Sequence, residues 1–270
     1  KTMSCSLAFM FDTFVPIMKA CQKKMMESTV EAQKGYYLHC VHKTWELITT
    51  SFLTATDLVT VLPNYKKMMI RTLNNLEDRE SGLAIVKGIV SLIRFTRMCL
   101  NEDEEDSKMI EDDEEEQQEK GKDTQWDEID GIRFKTMHRS EWSGPLRDRS
   151  TAEAVLELLK SMAEVVLQAT QKLYDSFHGE YGDELPKYSG IGKKGDVNTV
   201  ALLRDHLEAV CSVASSEAIT RYYTQLIQQL NSVLKEEESI ERTRQQILLG
   251  GALSAVIPFL NDSGKHENIF

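Results

Sequence analysis

No apolar run in this sequence approaches the ~20 residues that a membrane-crossing helix needs, so a helical membrane span is excluded. No segment shows sustained strand alternation either, which leaves a sheet-built fold without support. The five cysteines, Cys5, Cys21, Cys40, Cys99 and Cys211, are dispersed without short pairing intervals. An odd, scattered set excludes a disulfide framework and fits free thiols in a reducing, cytoplasmic compartment. The chain starts at Lys1 without an initiator Met or a charged-then-apolar leader, and the expectation is a piece of a longer intracellular protein.

What is present is an uneven distribution of charge. Between Glu102 and Glu119 stand twelve carboxylates against the single base Lys108, and this stretch carries the whole net charge of −11. The remaining 31 acidic and 31 basic residues cancel. Like charges at this density repel, and Met109 and Ile110 alone bury too little surface to offset ordering entropy. The stretch therefore reads as a disordered acidic insert over residues 101–125, between an N-terminal helical half (1–100) and a C-terminal one (126–270), continuous with each other. An acidic balance also argues against general nucleic-acid binding, which needs a basic footprint. Lys66, Lys67 and Arg71, or Lys23 and Lys24, form local basic spots for the insert itself or for acidic lipid headgroups, so peripheral membrane association stays open.

Periodicities of three and four predict helices throughout. Leu7, Met10, Phe11, Phe14, Met18 and Cys21 share a face of a first helix, Ser4 to Gln22, which Pro16 is expected to kink. A second runs from Thr29 to Thr56, weakened at its end by β-branched residues. Pro63 punctuates before a third, Tyr65 to Leu76. Ser81 is the expected N-cap of a fourth, Leu83 to Leu100, apolar on most sides and so buried against several neighbours. Ser150 and Glu153 form an S-x-x-E capping box ahead of Thr151 to Phe177. Asp196 is placed as the cap of Val197 to Val213, followed by Ser216 to Lys235, Ser239 to Leu249 and a last helix from Ala252. The class is all-α.

Candidate chemistry is sparse. Gly190-Ile191-Gly192-Lys193-Lys194-Gly195 satisfies G-x-G-x-x-G, but the preceding Asp183 to Ser189 is no buried strand, as a dinucleotide site requires. It reads as a loop, with anion contact through Lys193 and Lys194 as its functional alternative. His39, Cys40 and His42 are close in sequence, yet a helix turns Cys40 away and a closed zinc site needs four ligands. No histidine adjoins a triad arrangement, and no EF-hand spacing occurs. The expectation is no catalytic residue, no metal ligand and no cofactor. Trp126, Ile129, Ile132, Phe134 and Trp142 are large apolar residues in a polar setting. They either pin the returning chain to the helical body or, for Trp126, Phe134 and Trp142, anchor a protein partner.

Helices of unequal length, one apolar nearly all round, suit a stacked array better than a bundle about one axis. Lys23-Lys24-Met25-Met26 and Lys66-Lys67-Met68-Met69 recur at an offset of 43, within the ~40–47 interval of helical repeats, but their flanks do not align. The stretch Leu248-Leu249-Gly250-Gly251-Ala252-Leu253-Ser254-Ala255-Val256-Ile257-Pro258-Phe259-Leu260-Asn261-Asp262 resembles an armadillo repeat, in which a Gly pair turns the chain into an apolar helix. Pro258 departs from that pattern. The resemblance implies an α-solenoid, armadillo/HEAT-like, that binds protein partners along a groove. The functional expectation is a non-catalytic scaffold segment. Its alternative is a regulatory or accessory region of a large enzyme, of exchange-factor or ubiquitin-ligase type, whose catalytic domain lies elsewhere.

Overall fold

The computed structural model describes residues 6–75, 78–109, 126–129, 132–135, 145–181 and 199–260. Eight helices occur among them: α1 Leu7–Glu27, α2 Glu31–Thr50, α3 Leu58–Leu73, α4 Arg79–Met109, α5 Arg149–Tyr181, α6 Thr199–Cys211, α7 Ser216–Val233 and α8 Ile240–Leu260. Short 3-10 turns follow α2 and precede α5. The expected all-α class holds, with one local addition. Trp126–Ile129 (β1) and Ile132–Lys135 (β2) pair as an antiparallel hairpin. Asp130-Gly131, the two residues between them, is a hairpin signature that periodicity alone passes over.

The expected apolar faces are buried. Leu7, Phe11 and Met18 of α1 lie in the core, and Phe11 joins three helices. It stacks on Tyr65 of α3 at 3.7 Å between ring centroids and meets Trp45 of α2 edge-on at 6.4 Å. In α4, Leu83, Ile85, Val86, Ile89, Val90, Leu92 and Ile93 are all buried, so several sides of the helix need cover. That cover comes from α2, α3, α5 and α6. Each such side chain contributes about 1.5–3 kcal/mol when fully removed from water. α5 carries the matching stripe Val155, Leu159, Met162, Val166, Ala169 and Leu173. Arg79 at the start of α4 donates to the carbonyl of Ser176 near the end of α5, and Gly82 lies against Leu173. Two long helices packed with start against end run antiparallel. The buried apolar cluster takes residues from both sides of the acidic stretch.

The main contacts are local in chain order. α1 packs on α2 and α3, α2 on α4, α3 on α4 and α5, α4 on α5 and α6, α6 on α8, and α7 on α8. α5 also reaches α6, α7 and α8, and α5 with α8 is the widest of these pairings.

Several boundaries differ from expectation for identifiable reasons. α1 runs through Pro16 unbroken, clamped on either side by buried Phe11 and Met18. α3 begins seven residues before Tyr65 and contains Pro63, because burial of Leu58 and Leu62 holds the turn that proline weakens. α2 stops at Thr50, where the hydroxyls of Thr49, Thr50 and Ser51 donate to the carbonyls of Trp45, Leu47 and Leu47 and compete with the helical ladder. α4 runs past the expected Leu100 to Met109, into the start of the acidic stretch. Extending a formed, buried helix costs no new nucleation, and Glu is a good helix former. Residues 110–125 lie outside the described residues.

Caps are supplied by aspartates where serines were expected. Asp78, not Ser81, sits ahead of α4, its Oδ1 accepting from the Ser81 amide at 3.3 Å. Burial pushes this carboxyl up, against the hydrogen bonds from Ser81 and the nearby His42. The Ser150–Glu153 box does not form. Asp148 Oδ2 accepts from the Thr151 amide at 2.9 Å and from both hydroxyls of Ser150 and Thr151, while Glu153 pairs with Arg149. The cap expected at Asp196 falls outside the described residues, and α6 starts at Thr199.

Asp57 acts across the fold. It precedes α3, yet its carboxylate accepts from the amides of Leu7 (2.6 Å) and Ala8 (3.0 Å) and from the Ser6 hydroxyl (2.8 Å), capping α1. Burial alone raises its pKa, but the Ala8 and Leu7 amides and Ser6 outweigh it and hold the carboxyl below its usual value. A depressed folded pKa gives stability that is present above the unfolded value of about 3.9 and lost as pH falls through the lower folded value. Asp57→Ala is therefore expected to cost about 1 kcal/mol at neutral pH. In urea melts, the gap from the unsubstituted chain should close as pH drops below about 4.

Gly250 and Gly251 do not turn the chain, because α8 is continuous through them and through Pro258. What Gly251 supplies is close approach: a Cβ there would run into Val200 of α6. Gly88 in α4 likewise admits Thr49 of α2, whose Cβ lies 2.5 Å from where a methyl would stand. Around Gly35 and Gly250 there is open space. Gly35→Ala and Gly250→Ala should each raise stability by about 0.5–1 kcal/mol through helix propensity, whereas Gly88→Ala should lower it by about 1–3 kcal/mol. Thermal melts of the three variants read the opposite signs directly.

Candidate docking groove

An open groove of about 540 Å³ lies where α4, α6 and α8 meet. α4 contributes Ile93, Arg94, Arg97 and Met98, which share one face at helical spacing. α6 contributes Asp205, Glu208 and Ala209, with Ser212 just past its end continuing the stripe, and α8 contributes Phe259 near its end. The groove exists because the apolar stripe of α6 turns toward the core through Leu203, Leu207 and Val210, leaving its more polar flank facing α4.

Arg94 ties the walls together. Its Nη2 lies 2.5 Å from Asp205 Oδ1 and also reaches the Asp205 carbonyl at 3.4 Å. Arg204 pairs with Glu208 one turn apart at 3.5 Å. Ile93 and Ala209 give the groove an apolar floor, with Met98 37% exposed at its edge. The Ser212 hydroxyl is committed to the Ala209 carbonyl at 2.7 Å. Nearby Cys211 is pushed up to about 12 by burial and by Glu208, which makes it a poor nucleophile. Behind the α6 wall, fully buried Tyr174 and His206 meet at 3.0 Å between the phenol oxygen and Nδ1. No nucleophile with an adjoining base lines the groove. The groove is an apolar floor between two cations and two anions.

Comparison with known protein families, curated proteins and solved structures finds no match. The armadillo resemblance thus rests on the sequence pattern alone.

The residues singled out from the sequence lie elsewhere. Trp126 is in β1 and Phe134 in β2, where Trp126 stands opposite Lys135 and Asp127 opposite Phe134, so the two aromatics occupy different rungs of the ladder. Trp142, Lys193 and Lys194 are outside the described residues. His39 and His42 have ring centroids 6.2 Å apart, but His42 is buried with Nε2 on Glu46 Oε1 at 3.1 Å. No cluster of three or more metal-ligating side chains occurs among the described residues. No helix there is long and apolar enough to cross a membrane. The groove residues are not legible in the sequence because the α4 and α6 walls stand more than 100 positions apart, and only the i, i+3, i+4, i+7 spacing of Asp205, Glu208, Ala209 and Ser212 hints at a shared face.

Tyr174→Phe removes the hydroxyl that His206 Nδ1 meets in a fully buried site. The expected cost is about 1–2 kcal/mol in chemical denaturation, with helicity by circular dichroism unchanged.

Proposed function

We propose that this chain is a non-catalytic helical scaffold of the stacked, armadillo/HEAT-like type, acting through protein–protein contact. The observation that carries the reading is the local pattern of packing. Contacts run mainly between helices one or two places apart in the chain, as in arrays where each unit rests on its neighbours. Such stacking leaves long outer surfaces and inter-helix grooves for partners. The groove between α4, α6 and α8 supports the same reading, because it offers recognition groups without a reacting pair. Exposed apolar side chains such as Phe9 and Ile247 add further contact area.

The test is site-specific photo-cross-linking in cells, with a benzoylphenylalanine in turn at Phe9, Met98 and Ile247, three exposed positions on different helices. A scaffold docking through the groove gives discrete protein adducts from Met98. Absence of adducts from all three positions would overturn the scaffold assignment, and adducts from Phe9 or Ile247 alone would move the docking surface away from the groove.

A further inference from the structure

We propose that Cys21 and Cys40 are a peroxide-responsive pair whose thiols close a reversible disulfide between α1 and α2. This goes beyond the scaffold reading and does not rest on it. The two residues stand on adjoining arms of a helical hairpin: α1 ends at Glu27, α2 begins at Glu31, and the two pack together. Their register is antiparallel. Near the connection Lys24 and Tyr37 line one small cleft with Ser28 and Gln33, and farther along the arms Phe11 meets Trp45. From Lys24 about one turn back along α1 reaches Cys21, and from Tyr37 about one turn on along α2 reaches Cys40. The two cysteines therefore face each other across the interface. Packed helices stand about 8–10 Å apart with each Cα about 2.3 Å from its axis, which brings facing Cα atoms to as little as about 3.5–5.5 Å. A disulfide spans about 4.4–6.8 Å between Cα atoms, so a hairpin of this spacing accommodates one.

The chemistry of the pair agrees with this register. Burial, and after it Cys40 through charge and hydrogen bonding, pushes the Cys21 thiol up, as a thiol held beside another thiol requires. The Tyr36 phenol, one turn before Cys40, reaches the same sulfur, and its hydrogen bond to Cys40 pushes the phenol up in turn. Cys21 and Cys40 are half-buried, whereas Cys99 and Cys211 are buried, so a small oxidant meets the hairpin pair first. The Cys40 thiolate attacks one oxygen of hydrogen peroxide, the O–O bond breaks, and the departing hydroxide takes up the thiol proton as water. Cys21 Sγ then attacks the sulfenic sulfur of Cys40, and the second water leaves with the Cys21 proton. Two thiols and one peroxide thus give one disulfide and two waters. Closing the loop around the Ser28–Val30 connection restricts the unfolded chain and staples α1 to α2.

The test treats the full chain with hydrogen peroxide, blocks the remaining thiols, and maps the cysteines by digestion and mass spectrometry. The expected product is a cross-linked peptide pair carrying Cys21 and Cys40, lighter by two hydrogens and removed by dithiothreitol. It should outweigh any other cysteine pairing at least about ten-fold, because the fold holds these two thiols at high effective concentration. In urea the same treatment should scatter the pairings. Cys21→Ser should leave Cys40 as a sulfenic acid that dimedone traps. Pairing in the folded chain as scattered as in urea, or a main cross-link that joins other cysteines, would overturn the proposal. So would Cys21 and Cys40 remaining as thiols under peroxide that has already oxidised Cys99 or Cys211.

Discussion

The structure depends on the need of α4 to hide apolar side chains on more than one side. Leu83, Ile85, Val86, Ile89, Val90, Leu92 and Ile93 project in several directions from one rod, and a single neighbour covers only one stripe. Four helices are drawn against it, and α5, antiparallel to it, is the longest of them. α5 then has its own second face to cover, which it does with α3, α6, α7 and α8. The order of the remaining helices follows from serving these two.

Where the helices come closest, the limiting factor is the absence of a side chain. Gly82, Gly88 and Gly251 each stand where a Cβ would strike Leu173, Thr49 or Val200, so three inter-helix approaches are set by a helical glycine. The helix propensity lost there is offset by burial of the facing residues. Asp57 works by a different route, tying the start of α1 to the start of α3 through charge-assisted hydrogen bonds rather than packing. Both devices act between segments tens of residues apart, and this is how local helices acquire fixed relative positions.

The groove follows from the same geometry. α6 gives its apolar stripe to the core and leaves Asp205 and Glu208 facing α4, with Ser212 just past its end, so a polar-rimmed channel lies between the two helices. Ser212 is bonded to the Ala209 carbonyl of α6, and burial holds the nearby Cys211 thiol protonated.

Helical class and the buried stripes of α1, α4 and α5 were legible in the sequence, because each depends on a period of 3.6 within one segment. The boundaries were less so: Pro16, Pro63, Pro258 and the Gly250-Gly251 pair all read as breaks, yet the helices continue through them. At Pro16 and Pro63 the local penalty of a few kcal/mol is overridden by buried side chains on the same helix. The sequence by itself determined that these segments would be amphipathic helices, since that is a property of spacing along one chain. Which helix covers which, the role of Asp57 as a cap for α1, and the convergence of Arg97, Glu208 and Phe259 on one groove were decided only by tertiary structure, because each requires groups distant in sequence to meet, and pairing across a fold leaves no period to read.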